Sequence, residues 1–107
     1  MWIFQSSPGD HEAMTFRLAA GAIKTVGRAP GADFVVDAAL VSRLHCRLTA
    51  GDSTVEVVDL SSTNGTFVND KRVTNAVLSS GDRLRVGRVE LTIEKRLIAG
   101  AETEPQA

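Results

Sequence analysis

Four short polar segments of the chain carry residue types that could do chemistry. They are Gly27-Arg28, Ser42-Arg43-Leu44-His45, the longer stretch Ser61-Ser62-Thr63-Asn64-Gly65-Thr66-Phe67-Val68-Asn69, and Gly81-Asp82. An arginine guanidinium stays charged and presents a planar fork that matches phosphate oxygens. Hydroxyls and loop N–H groups add short-range donors that can converge on one point. These segments therefore point to the binding of an anionic group.

A phosphorylated side chain is one anion that such groups could hold. It brings a charge of about −1.5 to −2 and several acceptor oxygens, so its receptor needs a permanent cation and several donors. Each charge-assisted hydrogen bond contributes roughly 1.5–3 kcal/mol net. Three or four of them suffice for micromolar binding, which corresponds to about −8 kcal/mol.

The elements that position these segments are predicted to be short strands. Apolar and polar residues alternate with a period of two, which lays one face of a strand on a core. The apolar members of these runs are Met14, Phe16 and Leu18, then Val55 and Val57, then Leu84 and Val86, then Val89, Leu91 and Ile93. Turn formers such as Pro8-Gly9-Asp10 and Asn69-Asp70 separate the runs, and this spacing predicts a β-sandwich.

One stretch, residues 37–50, fits a second interpretation. Leu40, Val41, Leu44 and Leu48 also follow a helical stripe that Asp37 could cap. The poor helix formers within the stretch and the strand-like elements around it favour a non-helical structure.

Composition narrows the function classes. The 107 residues are enough for one domain and include 43% hydrophobic and 23% charged residues, with a net charge of −1. A nucleic-acid or anionic-membrane binder would carry a basic excess, so neither is expected as a partner. Cys46 is the one cysteine and is predicted to be a buried thiol. We expect a cytoplasmic protein without metal or cofactor.

The ordered set of polar segments resembles the forkhead-associated (FHA) domain family, across residues 2–94. The resemblance implies an all-β fold, a two-sheet antiparallel β-sandwich of about eleven short strands. It implies a domain over residues 1–96, which leaves 97–107 as a flexible C-terminal tail. It also implies a non-catalytic, monomeric adaptor in Ser/Thr-kinase signalling, whose partner is a phosphothreonine-containing kinase substrate.

The family pattern assigns five residues to the phosphopeptide. Arg28 and Ser42 correspond to phosphate contacts, Arg43 and Thr63 to further ones, and Asn64 to a contact with the peptide backbone beside the phosphothreonine.

Three more residues are assigned to the support of the binding loops. His45 would tie the loops together from beneath, while Gly27 and Gly65 would permit backbone geometry that a side chain would obstruct. One departure is visible, because Asp70 follows Asn69 where the family often has glycine. It bears on turn shape more than on phosphate chemistry.

Other interpretations stay open. Ser42 and Thr63 could be ordinary turn hydroxyls, and Asn64-Gly65 could be only a hairpin turn. A phosphate-independent interaction scaffold of the same fold is the alternative function. A hydrolase built on Ser42 and His45 lacks a Gly-x-Ser-x-Gly elbow. Phosphorylation of Thr103, between two glutamates, is a weaker hypothesis.

Overall fold

The computed structural model describes residues 1–6 and 13–96, which contain eleven strands and no helix. The strands are β1 (Trp2–Ser6), β2 (Thr15–Leu18), β3 (Ile23–Gly27), β4 (Phe34–Val35), β5 (Cys46–Ala50), β6 (Val55–Asp59), β7 (Thr66–Val68), β8 (Lys71–Val73), β9 (Asn75–Leu78), β10 (Arg83–Val86) and β11 (Val89–Lys95). The turn predicted at Pro8-Gly9-Asp10, the tail at 97–107 and Thr103 lie outside the described residues.

Two sheets make up the sandwich. One has six strands in the order β2-β1-β11-β10-β7-β8, and the other has five in the order β4-β3-β5-β6-β9. Neighbouring strands pair antiparallel, except that β4 runs parallel to β3 through a short register of Val26 with Phe34 and Gly27 with Val35. The predicted two-sheet β-sandwich is confirmed, with this one parallel pair as the difference.

The core lies between the sheets and is formed by the alternating runs. The predicted apolar positions of β6, β10 and β11 are all fully buried, as is Leu18 of β2, whereas Met14 and Phe16 are half-buried at its margin. Trp2 and Phe4 of β1 complete the same cluster. The period-two pattern therefore located the core correctly.

The ambiguous stretch 37–50 is not helical. Cys46–Ala50 forms β5, and the residues before it form turns and irregular backbone. Cys46 is fully buried, as predicted. Leu44 faces the solvent, where the helical interpretation would have placed it on the apolar stripe.

Left-handed backbone occurs at the turn between β7 and β8. Asn69 and Asp70 have φ angles of 49° and 70°, the two positive values that a type I′ hairpin turn requires. Asp70 thus adopts the conformation for which glycine is better suited, and the turn keeps its shape without glycine.

Candidate functional site

Three loops meet at one end of the sandwich. β3 ends at Gly27, β5 begins at Cys46 and β6 ends at Asp59, and the register of these antiparallel neighbours places the three points side by side. The loops that leave from there are residues 28–33, 36–45 and 60–65. All eight residues singled out from the sequence lie in these loops or at the adjoining end of β3.

An open pocket of about 490 Å³ lies between the loops. Its lining consists of Arg28, Leu40, Val41, Ser42, Arg43, Leu44, Ser61, Thr63 and Asn64. The five residues assigned to the phosphopeptide are all among them, although they are up to 36 positions apart in the chain (64 minus 28).

Arg28 is exposed at this pocket and is held by its neighbours. Its backbone N–H donates to the carbonyl of Ser42 at 2.9 Å, and its Nε donates to the carbonyl of Val41 at 3.0 Å. None of the ion pairs formed by the described residues involves Arg28. The bond from Nε fixes the plane of the guanidinium and leaves the outer edge of the fork for a ligand.

Ser42 and Thr63 are joined across two loops. The backbone N–H of Thr63 donates to Ser42 Oγ at 3.0 Å, which leaves the hydroxyl hydrogen of Ser42 as a donor. The Thr63 side chain is exposed beside it. Two hydroxyls from loops 21 residues apart therefore lie close together at the pocket.

Asn64 links the same two loops through its amide. Its Nδ2 donates to the carbonyl of Leu40 at 3.1 Å, so one amide hydrogen and the amide oxygen still lack a partner among the described residues. Leu40 has a φ angle of 71°, which is uncommon for leucine. The Asn64 amide helps to hold this strained backbone.

His45 lies fully buried beneath the pocket. Its Nδ1 accepts the backbone N–H of Ser42 at 3.0 Å, and its Nε2 faces the carbonyl of Gly65 at 2.8 Å. An N–H group can only donate, so Nδ1 carries no proton, and Nε2 donates to the carbonyl. The neutral ring thus connects the loop of Ser42 to that of Gly65.

Both glycines of the supporting set occupy crowded positions. A Cβ on Gly27 would lie 2.0 Å from the carbonyl oxygen of Arg43. Gly65 has a φ angle of 93°, and a Cβ there would lie 2.8 Å from Nε of Arg72. Gly27 therefore allows the β4–β5 loop to approach β3 closely, and Gly65 allows the turn into β7.

Sequence reasoning missed Asp59, the residue that organises the 60–65 loop. Its carboxylate accepts hydrogen bonds from the Ser62 hydroxyl and, at 3.1 Å, from the Ser62 backbone N–H, and it accepts one from Thr66 Oγ1 at 2.7 Å. Ser62 Oγ in turn accepts the Gly65 N–H at 3.0 Å. The place of Asp59 at the end of an alternating run, just before a cluster of Ser, Thr, Asn and Gly, is a turn signal that could have identified it.

The surroundings of Asp59 affect two pKa values. Burial raises the pKa of the Asp59 carboxyl, but the hydrogen bonds from Ser62 and Thr66 outweigh this effect, so the pKa lies below its ordinary value. Burial, together with the charge of Asp59, raises the pKa of the Cys46 thiol to about 12. Cys46 is therefore protonated at neutral pH and unsuited to act as a nucleophile.

The described part of the chain contains neither a cluster of metal-ligating residues nor a membrane-spanning helix. No group of three or more His, Cys, Asp or Glu residues within residues 1–6 and 13–96 could hold a metal ion. In the same residues there is no helix long and apolar enough to cross a membrane.

Known proteins are similar to this chain in sequence and in fold. The chain is 43% identical over 67 residues to the oxoglutarate dehydrogenase inhibitor of Corynebacterium diphtheriae, which is 63% of this chain and 47% of that protein. The chain thus spans about half the length of this relative.

Two solved structures extend the likeness to nearly the whole chain. The crystal structure of the FHA domain of the Chlamydia trachomatis CT664 protein superposes with a TM-score of 0.82 at 26% identity, over 89% of this chain and 97% of that one. A structure from a study of phosphothreonine-dependent FHA domain interactions superposes with a TM-score of 0.80 at 30% identity, over 91% of this chain and 98% of that one.

The FHA domain family model matches residues 24–87, which include the three loops around the pocket and the strands that carry them. This match covers more than half of the chain, and the structural neighbours agree with it. The chain belongs to the FHA domain family.

Proposed function

We propose that the chain is a non-catalytic module that binds a phosphothreonine-containing segment of a partner protein. It would act as a monomeric adaptor in Ser/Thr-kinase signalling, and its partners would be kinase substrates in the cytoplasm. One observation carries the proposal. Two cations, two hydroxyls and an amide, assigned from the sequence to a phosphopeptide, line a single open pocket.

The geometry supports a different role for each polar residue of the pocket. Arg28, with its Nε fixed by a carbonyl, would direct its terminal nitrogens to the phosphate. The Ser42 and Thr63 hydroxyls would donate to other phosphate oxygens, and Arg43 would add a second positive charge. Asn64, which already has one amide hydrogen bonded to Leu40, would use its remaining groups on the peptide backbone.

A preference for threonine over serine would be modest if it came from burial alone. One buried methyl group contributes roughly 0.8 kcal/mol, which is about a fourfold difference in affinity. A larger preference would require that the stiff χ1 angle of the β-branched residue holds the phosphate in position before binding.

The hydrogen bonds of His45 argue against a hydrolase at this site. Both ring nitrogens are engaged with backbone groups, one with the Ser42 N–H and the other with the Gly65 carbonyl. The ring therefore makes no hydrogen bond to the Ser42 hydroxyl that would activate it as a nucleophile. The arrangement supports a structural role for His45.

The relatives support binding as the mode of action. The Corynebacterium protein is named as an inhibitor of an enzyme, and one structural neighbour comes from a study of phosphothreonine-dependent interactions. A phosphate-independent interaction scaffold of the same fold is the second candidate function. Such a scaffold would not require a pocket lined by cations and hydroxyls.

The proposal predicts that Arg28→Ala abolishes phosphopeptide binding without unfolding the domain. Loss of one partner of a desolvated charge pair costs about 2–5 kcal/mol, which weakens a micromolar complex by roughly 30-fold to several thousand-fold. Fluorescence polarisation with a phosphothreonine peptide library would measure the affinity, and thermal melting would measure the fold.

Arg47→Ala provides the matched control. Arg47 is an exposed arginine, the second residue of β5, and does not line the pocket. Its loss should leave the affinity unchanged. Equal binding by wild type and Arg28→Ala, or equal binding of phosphorylated and unphosphorylated peptides, would refute the proposal.

A further inference from the structure

The pair Asn64-Gly65, in the turn before β7, combines two residues that favour a spontaneous reaction of the chain. Asparagine is a thermolabile residue, and a following glycine leaves its own backbone nitrogen unshielded because it has no Cβ. Of the three asparagines in the chain, Asn64, Asn69 and Asn75, only Asn64 precedes a glycine. The Asn64 side chain is exposed, so water can reach its amide.

The reaction that this pair favours is deamidation through a cyclic imide. The backbone nitrogen of Gly65 attacks Cγ of Asn64, the Cγ–Nδ2 bond breaks, and ammonia leaves with the proton of the Gly65 N–H. Water then opens the ring at either of its carbonyls and leaves a carboxylate, as aspartate or isoaspartate. The sequence of steps needs no reactant other than water.

Both reacting groups are engaged in hydrogen bonds of the fold. The Gly65 N–H donates to Ser62 Oγ at 3.0 Å, and the residue is buried, which keeps its proton away from the solvent. Asn64 Nδ2 donates to the carbonyl of Leu40 at 3.1 Å, which directs the amide to another loop. Attack on Cγ therefore requires local opening of the 60–65 loop.

A carboxylate at position 64 would change the electrostatics of the pocket. Asn64 lines the pocket with Arg28 and Arg43, and no acidic side chain of the described residues lines it. The new negative charge would attract the two arginines and repel a phosphate. It would also face the Leu40 carbonyl without a hydrogen to donate. Both effects oppose the binding of a phosphopeptide.

We propose that Asn64 is a deamidation site, that the hydrogen bonds of Asn64 and Gly65 restrain the reaction in the folded domain, and that the resulting carboxylate inactivates the pocket. The inactivation rests on the proposed phosphothreonine binding, whereas the restraint does not. A bound phosphopeptide would restrain the reaction further. At 100 times its Kd, an opening that must release the ligand becomes about 100-fold rarer.

Peptide mapping by mass spectrometry measures the rate of deamidation during incubation at neutral pH. We expect Asn64 in folded wild type to react about tenfold more slowly than in a free peptide of residues 61–68, or slower still, because the reaction waits for opening of the loop. Ser62→Ala removes the acceptor of the Gly65 N–H and should accelerate the reaction about tenfold.

Thr66→Val provides the matched control for the rate. Thr66 is buried and donates to the Asp59 carboxylate that Ser62 also bonds, but its hydroxyl makes no hydrogen bond to Asn64 or Gly65. Its loss should accelerate deamidation less than Ser62→Ala does.

Thermal melting shows whether each variant is folded. If Ser62→Ala is not, wild type in rising concentrations of urea below its unfolding transition replaces it. The rate at Asn64 should then increase with urea and decrease when a phosphothreonine peptide is added.

Fluorescence polarisation with a phosphothreonine peptide measures the consequence for binding. Deamidated wild type and Asn64→Asp should each bind at least about tenfold more weakly than fresh wild type. Asn75→Asp introduces the same charge at an exposed position of β9 outside the pocket and should keep the affinity of wild type.

The possible failures are distinguishable. Equal rates at Asn64 in folded wild type and in the free peptide, or equal acceleration by Ser62→Ala and Thr66→Val, overturn this inference. Undiminished affinity after deamidation also overturns it and leaves the proposed function standing. No phosphate-dependent binding by fresh wild type refutes the proposed function, and the measured rates still decide whether the fold restrains the reaction.

Discussion

Side chains around the pocket use part of their hydrogen-bonding capacity on the backbone of neighbouring loops. Arg28, Asn64 and His45 each bond a carbonyl of another segment, at 3.0, 3.1 and 2.8 Å. Binding then requires little ordering of loops, and the loss of entropy on association is correspondingly small. At the residue scale, the site is built before its ligand arrives.

Asp59 makes the stability of these loops depend on acidity. Its pKa is lowered in the folded state from an ordinary value of 3.8, so its contribution is present above that value and is lost as the pH falls through the lower, folded pKa. We expect the free energy of unfolding of wild type to decline below about pH 4. Urea titrations at a series of pH values would measure the decline.

Asp59→Asn should lose about 2 kcal/mol at neutral pH and show a weaker decline in acid. Asp52→Asn is the control, since Asp52 is exposed and, among the described residues, a hydrogen bond is donated to its backbone carbonyl but none to its carboxylate. An acid decline as steep in Asp59→Asn as in wild type would show that other carboxyls are responsible.

The chemistry of single residues could be predicted only in part. Motif spacing identified Arg28, Ser42 and Thr63, which the fold does bring to one pocket. The leucine at position 40 could not be found in this way, because its exposure depends on a positive φ angle held by Asn64 and Gly87. Such long-range constraints leave no local pattern.

At the scale of elements, the junction between β3 and the loop before β5 determines where the pocket lies. The N–H groups of Arg28 and Ala29 donate to the carbonyls of Ser42 and Arg43 at 2.9 and 3.1 Å, which extends the pairing of strands beyond Gly27. This extension brings the Arg28 and Ser42 backbones together. The closeness depends on the missing Cβ of Gly27.

Gly27→Ala is therefore expected to destabilise the domain by about 3 kcal/mol or more, since its Cβ would meet backbone rather than a movable side chain. Gly31→Ala, where a Cβ would meet nothing within 4 Å, should change stability by less than about 0.5 kcal/mol. Urea unfolding of both variants would measure the difference. Similar stabilities would contradict the close approach.

Most elements could be predicted from periodicity, because alternation in β6, β10 and β11 follows directly from one buried face. The parallel pairing of β4 with β3 could not be predicted in this way. Phe34 and Val35 are too few to show a period, and they pair with β3 only because the 28–33 loop returns to the same end.

For the whole molecule, the pocket lies at the end opposite to the start of β1 and the end of β11. The N–H of Arg96 donates to the carbonyl of Met1 at 2.8 Å, and Trp2 Nε1 donates to the carbonyl of Gly51 at 3.1 Å. Gly51 follows the last residue of β5, whereas the pocket lies before its first. One full strand thus separates the two regions.

A bulky thiol-reactive dye would test this separation. Attached to Ser53→Cys, in the turn after Gly51, it should leave phosphopeptide affinity unchanged, whereas attached to Ser61→Cys, in the pocket lining, it should block binding. Native Cys46 is buried, with its pKa raised to about 12, and should remain unlabelled. Equal effects of the two labels on the affinity would contradict the separation.

The edge strands of the two sheets affect how the molecule associates with other chains. β2, β4, β8 and β9 close the two sheets and are only two to four residues long, and β8 begins with Lys71 and Arg72. Short edge strands give an incoming strand few backbone groups to pair with, and the charges of β8 oppose pairing at that edge. This feature disfavours aggregation by strand addition, and it favours contacts through the loops over extension of a sheet.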